Sequence, residues 1–194
     1  MSNSLNIRVA KRFSDKTNHL NTTKAKIALE IVAGAEKIVA TLLSENKVLI
    51  CGNGSTQLLA QYSASKFINQ FETLRPALPA LALSSDFGLN TSNDSDEIFS
   101  RQIQALGLEN DILLVFVAEE LTNDIVHAIE TAHEQQMQII LICGETSEDI
   151  SPYLNSDDLT IQIDLGKQAQ IMELQLLCIH CLCDLIDHLL FGTP

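Results

Sequence analysis

The stretch of this chain best equipped for chemistry is Lys47-Val48-Leu49-Ile50-Cys51-Gly52-Asn53-Gly54-Ser55-Thr56. Its apolar run is too short for a helix and reads as a buried parallel strand. The Gly-Asn-Gly turn lets the backbone swing through positive φ, and Ser55 and Thr56 follow as candidate N-caps. A strand, a glycine turn and a hydroxyl-bearing helix start together make an anion cradle, because free N–H groups and the helix dipole point into the turn. The same pattern also serves simply to join a strand to a helix. A second cluster lies late in the chain, where Cys178, Cys181 and Cys183 crowd around His180. Cys178 and Cys181 share a helix face, as metal ligands can, but no second cysteine pair stands elsewhere. Cysteine also packs as a small buried hydrophobe, and the cluster is expected in the core.

The elements that position these residues follow from periodicity. Leu5 to Leu20 reads as an amphipathic helical opening, and Asn21-Thr22-Thr23 as caps for a second helix from about Lys24 to Ser44. After the Val48–Cys51 strand comes a helix from Thr56 to about Phe71, ended by Arg75-Pro76-Ala77-Leu78-Pro79. Ala80–Leu83, Asp111–Ala118, Ile139–Cys143 and Leu159–Leu165 read as further strands, the last an edge strand by its alternation. Between them lie helices from Asn93-Asp94-Ser95 to Leu106, from Thr122 to Gln136 and from Ser147 to Leu154. Ala169 to Phe191 closes the chain as a long helix.

Alternating strands and helices predict an α/β fold: a three-layer, doubly wound, five-stranded parallel sheet with right-handed crossovers. Residues 1–194 read as one domain, with a helical segment to about 45 and an α/β core from 46. Sites in such folds sit beyond the carboxyl ends of the strands. That selects the loops Gly52–Thr56, Ser84–Asp94 and Ala118–Thr122. On the last helix, Glu173, His180, Asp184 and Asp187 fall within about 60° of one another. The other faces are apolar, so burial needs the subunit's own body and a second subunit, and homo-oligomerisation is expected.

Composition narrows the function. The chain is 46% hydrophobic with a net charge of −13. An acidic protein lacks the basic face that a direct grip on nucleic acid or an anionic membrane requires. The most apolar stretch, Ile171 to Phe191, carries Glu173, His180, Asp184 and Asp187, so no membrane span is expected. Nor does the N-terminus have the apolar core of a signal peptide. A soluble cytoplasmic protein with free thiols is the expectation.

The Cys51-Gly52-Asn53-Gly54 turn, the run Phe71-Glu72-Thr73, Arg75-Pro76 and Leu78-Pro79-Ala80, and Ile98-Phe99-Ser100-Arg101 together resemble the SIS (sugar isomerase) family. They are similar to its branch containing phosphoheptose isomerase and the DnaA initiator-associating protein. The ending Cys181-Leu182-Cys183-Asp184-Leu185-Ile186-Asp187, with Leu190-Phe191, is the more similar to the initiator-associating protein. The resemblance runs from the second helix to the end of the chain.

This resemblance implies a sugar-phosphate pocket at Asn53, Gly54, Ser55, Thr56, Asp94, Glu119, Glu120, Thr122 and His180. It places the isomerases' metal ligands (His, Glu, Gln and His) at Tyr62, Lys66, Met172 and His180, of which only the last matches. Lys66 also replaces the Glu of the acid–base pair, so catalytic residues, metal and cofactor are all expected to be absent. Glu119 and Glu120 stand where the family's phosphate loop carries Ser and Thr, leaving at most a weak sugar-phosphate ligand. His180 stays open between a leftover acid–base group or metal ligand with Glu173 and Asp184, and a hydrogen-bonded residue lining a shrunken pocket. By resemblance, Arg75, Leu190 and Phe191 serve tetramer assembly and contact with a partner, the initiator DnaA. The implied function is a non-catalytic DnaA-associating homotetramer, with a sugar-phosphate isomerase or sensor as the alternative.

Overall fold

The computed structural model describes residues 2–84, 95–118, 120–144, 150–164 and 167–192. Five parallel strands, β1 (Val48–Gly52), β2 (Ala80–Ala82), β3 (Ile112–Val117), β4 (Gln138–Gly144) and β5 (Leu159–Ile163), pair in the order β2-β1-β3-β4-β5. The reversal of direction at β1 is the switch point of a doubly wound sheet, and β5 is an edge, as its alternation predicts.

Every residue of β1 and β3 is buried, because helices cover both faces. Val48, Ile50, Leu114, Phe116, Ile140 and Ile142 face a core shared with α1 (Ser2–Leu43), α2 (Gln57–Ile68) and α5 (Gln168–Phe191). Leu49, Cys51, Leu113, Val115, Ile139 and Leu141 face the other core, with α3 (Ile98–Leu106) and α4 (Asn123–Glu134). The period-two alternation of strand side chains thus makes the three layers.

Two expectations about helices are corrected. The opening and the second helix are one helix of 42 residues. The hydroxyls between them do not cap: Ser14 donates to the Ala10 carbonyl, Thr17 to Phe13 and Thr22 to Asn18 and His19. Such back-bonding lets Ser and Thr sit inside a helix. In place of the expected Ser147–Leu154 helix there is a single 3-10 turn at Ser151–Tyr153, residues 145–149 lying outside the described range.

The last helix is also long and apolar enough to cross a membrane, with a mean hydropathy of 1.6, because its acids are too few to lower that figure. In the fold it packs on the sheet and on α1 instead.

Cys51, Cys143, Cys178 and Cys183 are buried and Cys181 is half-buried. Burial pushes the thiols of Cys143, Cys178 and Cys183 up to about 12, and raises those of Cys51 and Cys181. An acid group with a raised folded pKa contributes stability below its unfolded pKa and loses it as pH rises. Stability should therefore fall above about pH 8.5, the pKa of a free thiol. Replacing the buried cysteines with Ala or Val should flatten that decline in urea titrations. In the native protein a disulfide dye should react readily with one thiol at most, Cys181, and with the others only on unfolding.

Candidate functional site

At the carboxyl edge of the sheet, β1 ends at Gly52 and the chain passes through Asn53 into a 3-10 turn, Gly54–Thr56, that feeds α2. Gly52 admits no side chain: a Cβ there would meet the Thr56 hydroxyl at 2.7 Å and the Thr56 carbonyl oxygen at 3.0 Å. Gly54 takes φ +50°, a conformation natural to glycine. Thr56 is buried, and its hydroxyl bonds the carbonyls of Asn53 (2.8 Å) and Phe116 (3.0 Å), pinning the turn to the end of β3.

Asn53, Gly54, Ser55, Thr56, Ala118, Glu120, Thr122 and Gln168 line a cavity of about 160 Å³ beside this turn. Six of the residues expected in the pocket are therefore together. Asp94 and Glu119 lie outside the described residues.

The cavity's polar groups are largely engaged with each other. The Asn53 amide donates to the Thr122 hydroxyl at 2.6 Å, and that hydroxyl donates in turn to Asp124. Gln168, at the start of α5, donates to the Ser55 hydroxyl at 3.2 Å. Asp124 and Gln168 were missed in the sequence. Asp124 had a signal, an acid in the first turn after a Thr cap, whereas nothing local links Gln168 to Ser55. The α2 start favours an anion, but Glu120 opposes it, and no Lys or Arg is among the described lining residues.

His180 does not line this cavity. Half-buried on α5, it shares a 2.9 Å hydrogen bond with the Tyr62 hydroxyl and packs against Phe71 with ring centroids 5.4 Å apart. The Lys66 ammonium sits over the Tyr62 ring, 5.1 Å from its centroid, a cation–π contact. Three of the four positions that the resemblance assigns to metal ligands thus converge. Their chemistry does not fit a divalent ion: an alkylammonium is a cation without a lone pair, and the one imidazole nitrogen is shared with a phenol. Among the described residues no group of three His, Cys, Asp or Glu side chains is placed to hold a metal.

The acids and His180 that share a stripe on α5 lie in different surroundings. Glu173 pairs with Lys16 of α1 at 2.9 Å, Asp184 is exposed, and Asp187 is buried against Arg75 at 2.5 Å. Arg75 also donates to the carbonyls of Lys66, Phe67 and Pro76, so its guanidinium is bound inside the subunit. Leu190 is half-buried against the core, and Phe191 is 41% exposed at the end of α5.

A family model described as "SIS domain" matches residues 13–144. The chain is 42% identical to the phosphoheptose isomerase of Chromohalobacter salexigens, over 84% of this chain and 85% of that one. It is 41% identical to the DnaA initiator-associating protein DiaA of Erwinia tasmaniensis, over 83% and 84% of the two chains. A solved phosphoheptose isomerase from Francisella tularensis superposes with a TM-score of 0.88 at 34% identity, over 95% of this chain and 98% of that one.

Glu120 offers a direct test of the cavity's electrostatics. A carboxylate a few ångströms from a phosphate costs about 1–4 kcal/mol. Glu120→Gln should tighten binding of inorganic phosphate at least about fivefold in calorimetry, with the melting temperature unchanged.

Proposed function

This chain belongs to the SIS domain family, and from that footing we propose that it is a non-catalytic member that binds the replication initiator DnaA. In this reading it is a homotetramer of one SIS domain per chain, cytoplasmic, promoting DnaA assembly at the origin. It makes no direct contact with nucleic acid or membrane. The observation that carries the reading is the closed cluster of Tyr62, His180, Phe71 and Lys66. An aldose–ketose isomerase needs a base and an acid to move a proton between neighbouring carbons. Here the base position is a lysine and the histidine is tied to a tyrosine. The exposed apolar side chains Leu29, Val32 and Leu177 on α1 and α5 support self-association. A tetramer repeats one modest site, which suits a partner that must be clustered.

A phosphoheptose isomerase-like enzyme or sugar-phosphate sensor is the second reading. The open cradle at residues 53–56 and the identity to phosphoheptose isomerases favour it. One pair of calorimetric titrations separates the two, with sedoheptulose 7-phosphate and with the N-terminal region of DnaA. The proposed function expects binding of DnaA, and weak or no sugar-phosphate binding without turnover. Isomerisation lost in His180→Ala would overturn it.

Phe191 is the candidate anchor. Aromatic anchors contribute about 2 kcal/mol or more, so Phe191→Ala should weaken DnaA capture at least about thirtyfold while leaving Tm and oligomer intact. Leu190→Ala, closer to the core, should loosen the oligomer instead. DnaA capture at wild-type strength by Phe191→Ala would remove this surface from the proposal.

A further inference from the structure

We propose that the cluster of Tyr62, Lys66, Phe71 and His180 is a binding site for a small organic carboxylate, held by the Lys66 ammonium. The inference goes beyond the reading above and does not depend on DnaA.

The fold leaves one cation unspent. Lys66 is half-buried, its ammonium lies over the Tyr62 ring, and among the described residues no carboxylate pairs with it. The acids of the neighbouring elements are engaged or placed elsewhere. Glu173 is held by Lys16 and Asp187 by Arg75, while Asp184 lines the groove between α1 and α5. Glu72, beside Phe71, is exposed and joins no ion pair among the described residues. An ammonium drawn partly out of water without a counter-charge favours an anion that can supply one. The position at which the resemblance puts a metal thus carries a fixed cation of its own.

The surroundings preserve that charge. Lys66 stands in the last turn of α2, where free carbonyls repel an anion. Arg75 covers them, donating to the Lys66 and Phe67 carbonyls at 2.8 Å each. Burial and Asp187 raise the Cys183 thiol while Arg75 and Lys66 lower it, so both cations stand near one buried sulfur. Asp187 balances Arg75 and leaves the Lys66 charge over, a positive spot on a chain of net charge −13.

The phenol and the imidazole supply a second donor. Neutral tyrosine and histidine have two polar hydrogens between them, and the 2.9 Å bond from Tyr62 to His180 uses one. Either tautomer leaves the other, a phenol O–H or an imidazole N–H, free to donate. One charge and one neutral donor match a carboxylate, whose two oxygens can take one each. A phosphate dianion would keep a charge uncompensated. The His180 ring lies 5.7 Å from that of Tyr62 and 5.4 Å from that of Phe71, centroid to centroid. These rings offer an apolar wall to the organic body of the acid. None of the four residues lines the cradle cavity, so the two sites are distinct.

The test is calorimetric titration of the full chain with benzoate, with benzylamine as the charge-reversed control. Benzoate should bind saturably at millimolar concentration, benzylamine should not, and an excess of inorganic phosphate should not displace the benzoate. Lys66→Met and Lys66→Gln should each weaken benzoate at least about tenfold with Tm unchanged, whereas Lys66→Arg should retain it. Absence of saturable benzoate binding in the wild type, wild-type affinity in both Lys66→Met and Lys66→Gln, or displacement by phosphate would overturn the proposal.

Discussion

A helix that is apolar on most sides must be covered, and α5 imposes that demand on this protein. Leu174, Cys178, Ile179, Leu182 and Ile186 enter the core against the sheet and α1. The polar groups that go in with them need partners, because a buried amide left unpaired costs about 1–3 kcal/mol and a buried charge about 3–5. Gln175, fully buried, donates its amide to the carbonyls of Val117 and Ile142, both at 2.9 Å. Asp187, three turns on, takes Arg75 from the connection between α2 and β2. The helix is thereby fixed at the carboxyl edge of the sheet by an amide and near its far end by an ion pair.

This placement orders everything that the candidate site contains. With Gln175 held to the ends of β3 and β4, the start of α5 stands over the cradle and Gln168 reaches Ser55. One turn and a half below Gln175, His180 faces α2 and meets Tyr62. The cradle and the histidine are therefore two separate places on one rigid frame, and a change in how α5 packs would move both.

Much of the frame was legible in the sequence because burial of a parallel sheet on both faces leaves unbroken apolar runs, such as Ile112–Val117. The glycines of the turn at Gly52–Thr56 were legible because geometry demands them, but the expected hydroxyl caps are corrected: Thr56 does not cap α2 and donates to the carbonyls of Asn53 and Phe116 instead. What stayed hidden is pairing across distance. Arg75 and Asp187 stand 112 residues apart, and Asn53 and Thr122 stand 69 apart. A polar stripe on a helical wheel says that four residues share a side, not that three of them find different partners while Asp184 stays exposed. The continuity of α1 was hidden because Ser, Thr and Asn read equally as caps or as back-bonded interior residues, and only the neighbouring helix decides between them.

The Tyr62–His180 bond alone is not what separates this site from a metal centre. A neutral hydrogen bond contributes about 1 kcal/mol net, against about 10–16 kcal/mol for a structural zinc site with its full ligand set. Ligand number decides the matter: an ammonium at position 66 brings a charge of the wrong sign, and a thioether at 172 is too soft and weak to replace an amide oxygen. The hydrogen bond answers a different need. A half-buried imidazole without a metal still requires a partner for its ring nitrogen, and Tyr62 supplies one while its ring receives Lys66. The tyrosine and the lysine therefore work as a pair, the phenol bonding His180 and its ring receiving the ammonium. The four side chains Tyr62, Lys66, Phe71 and His180 thus pack on one another beside the cradle.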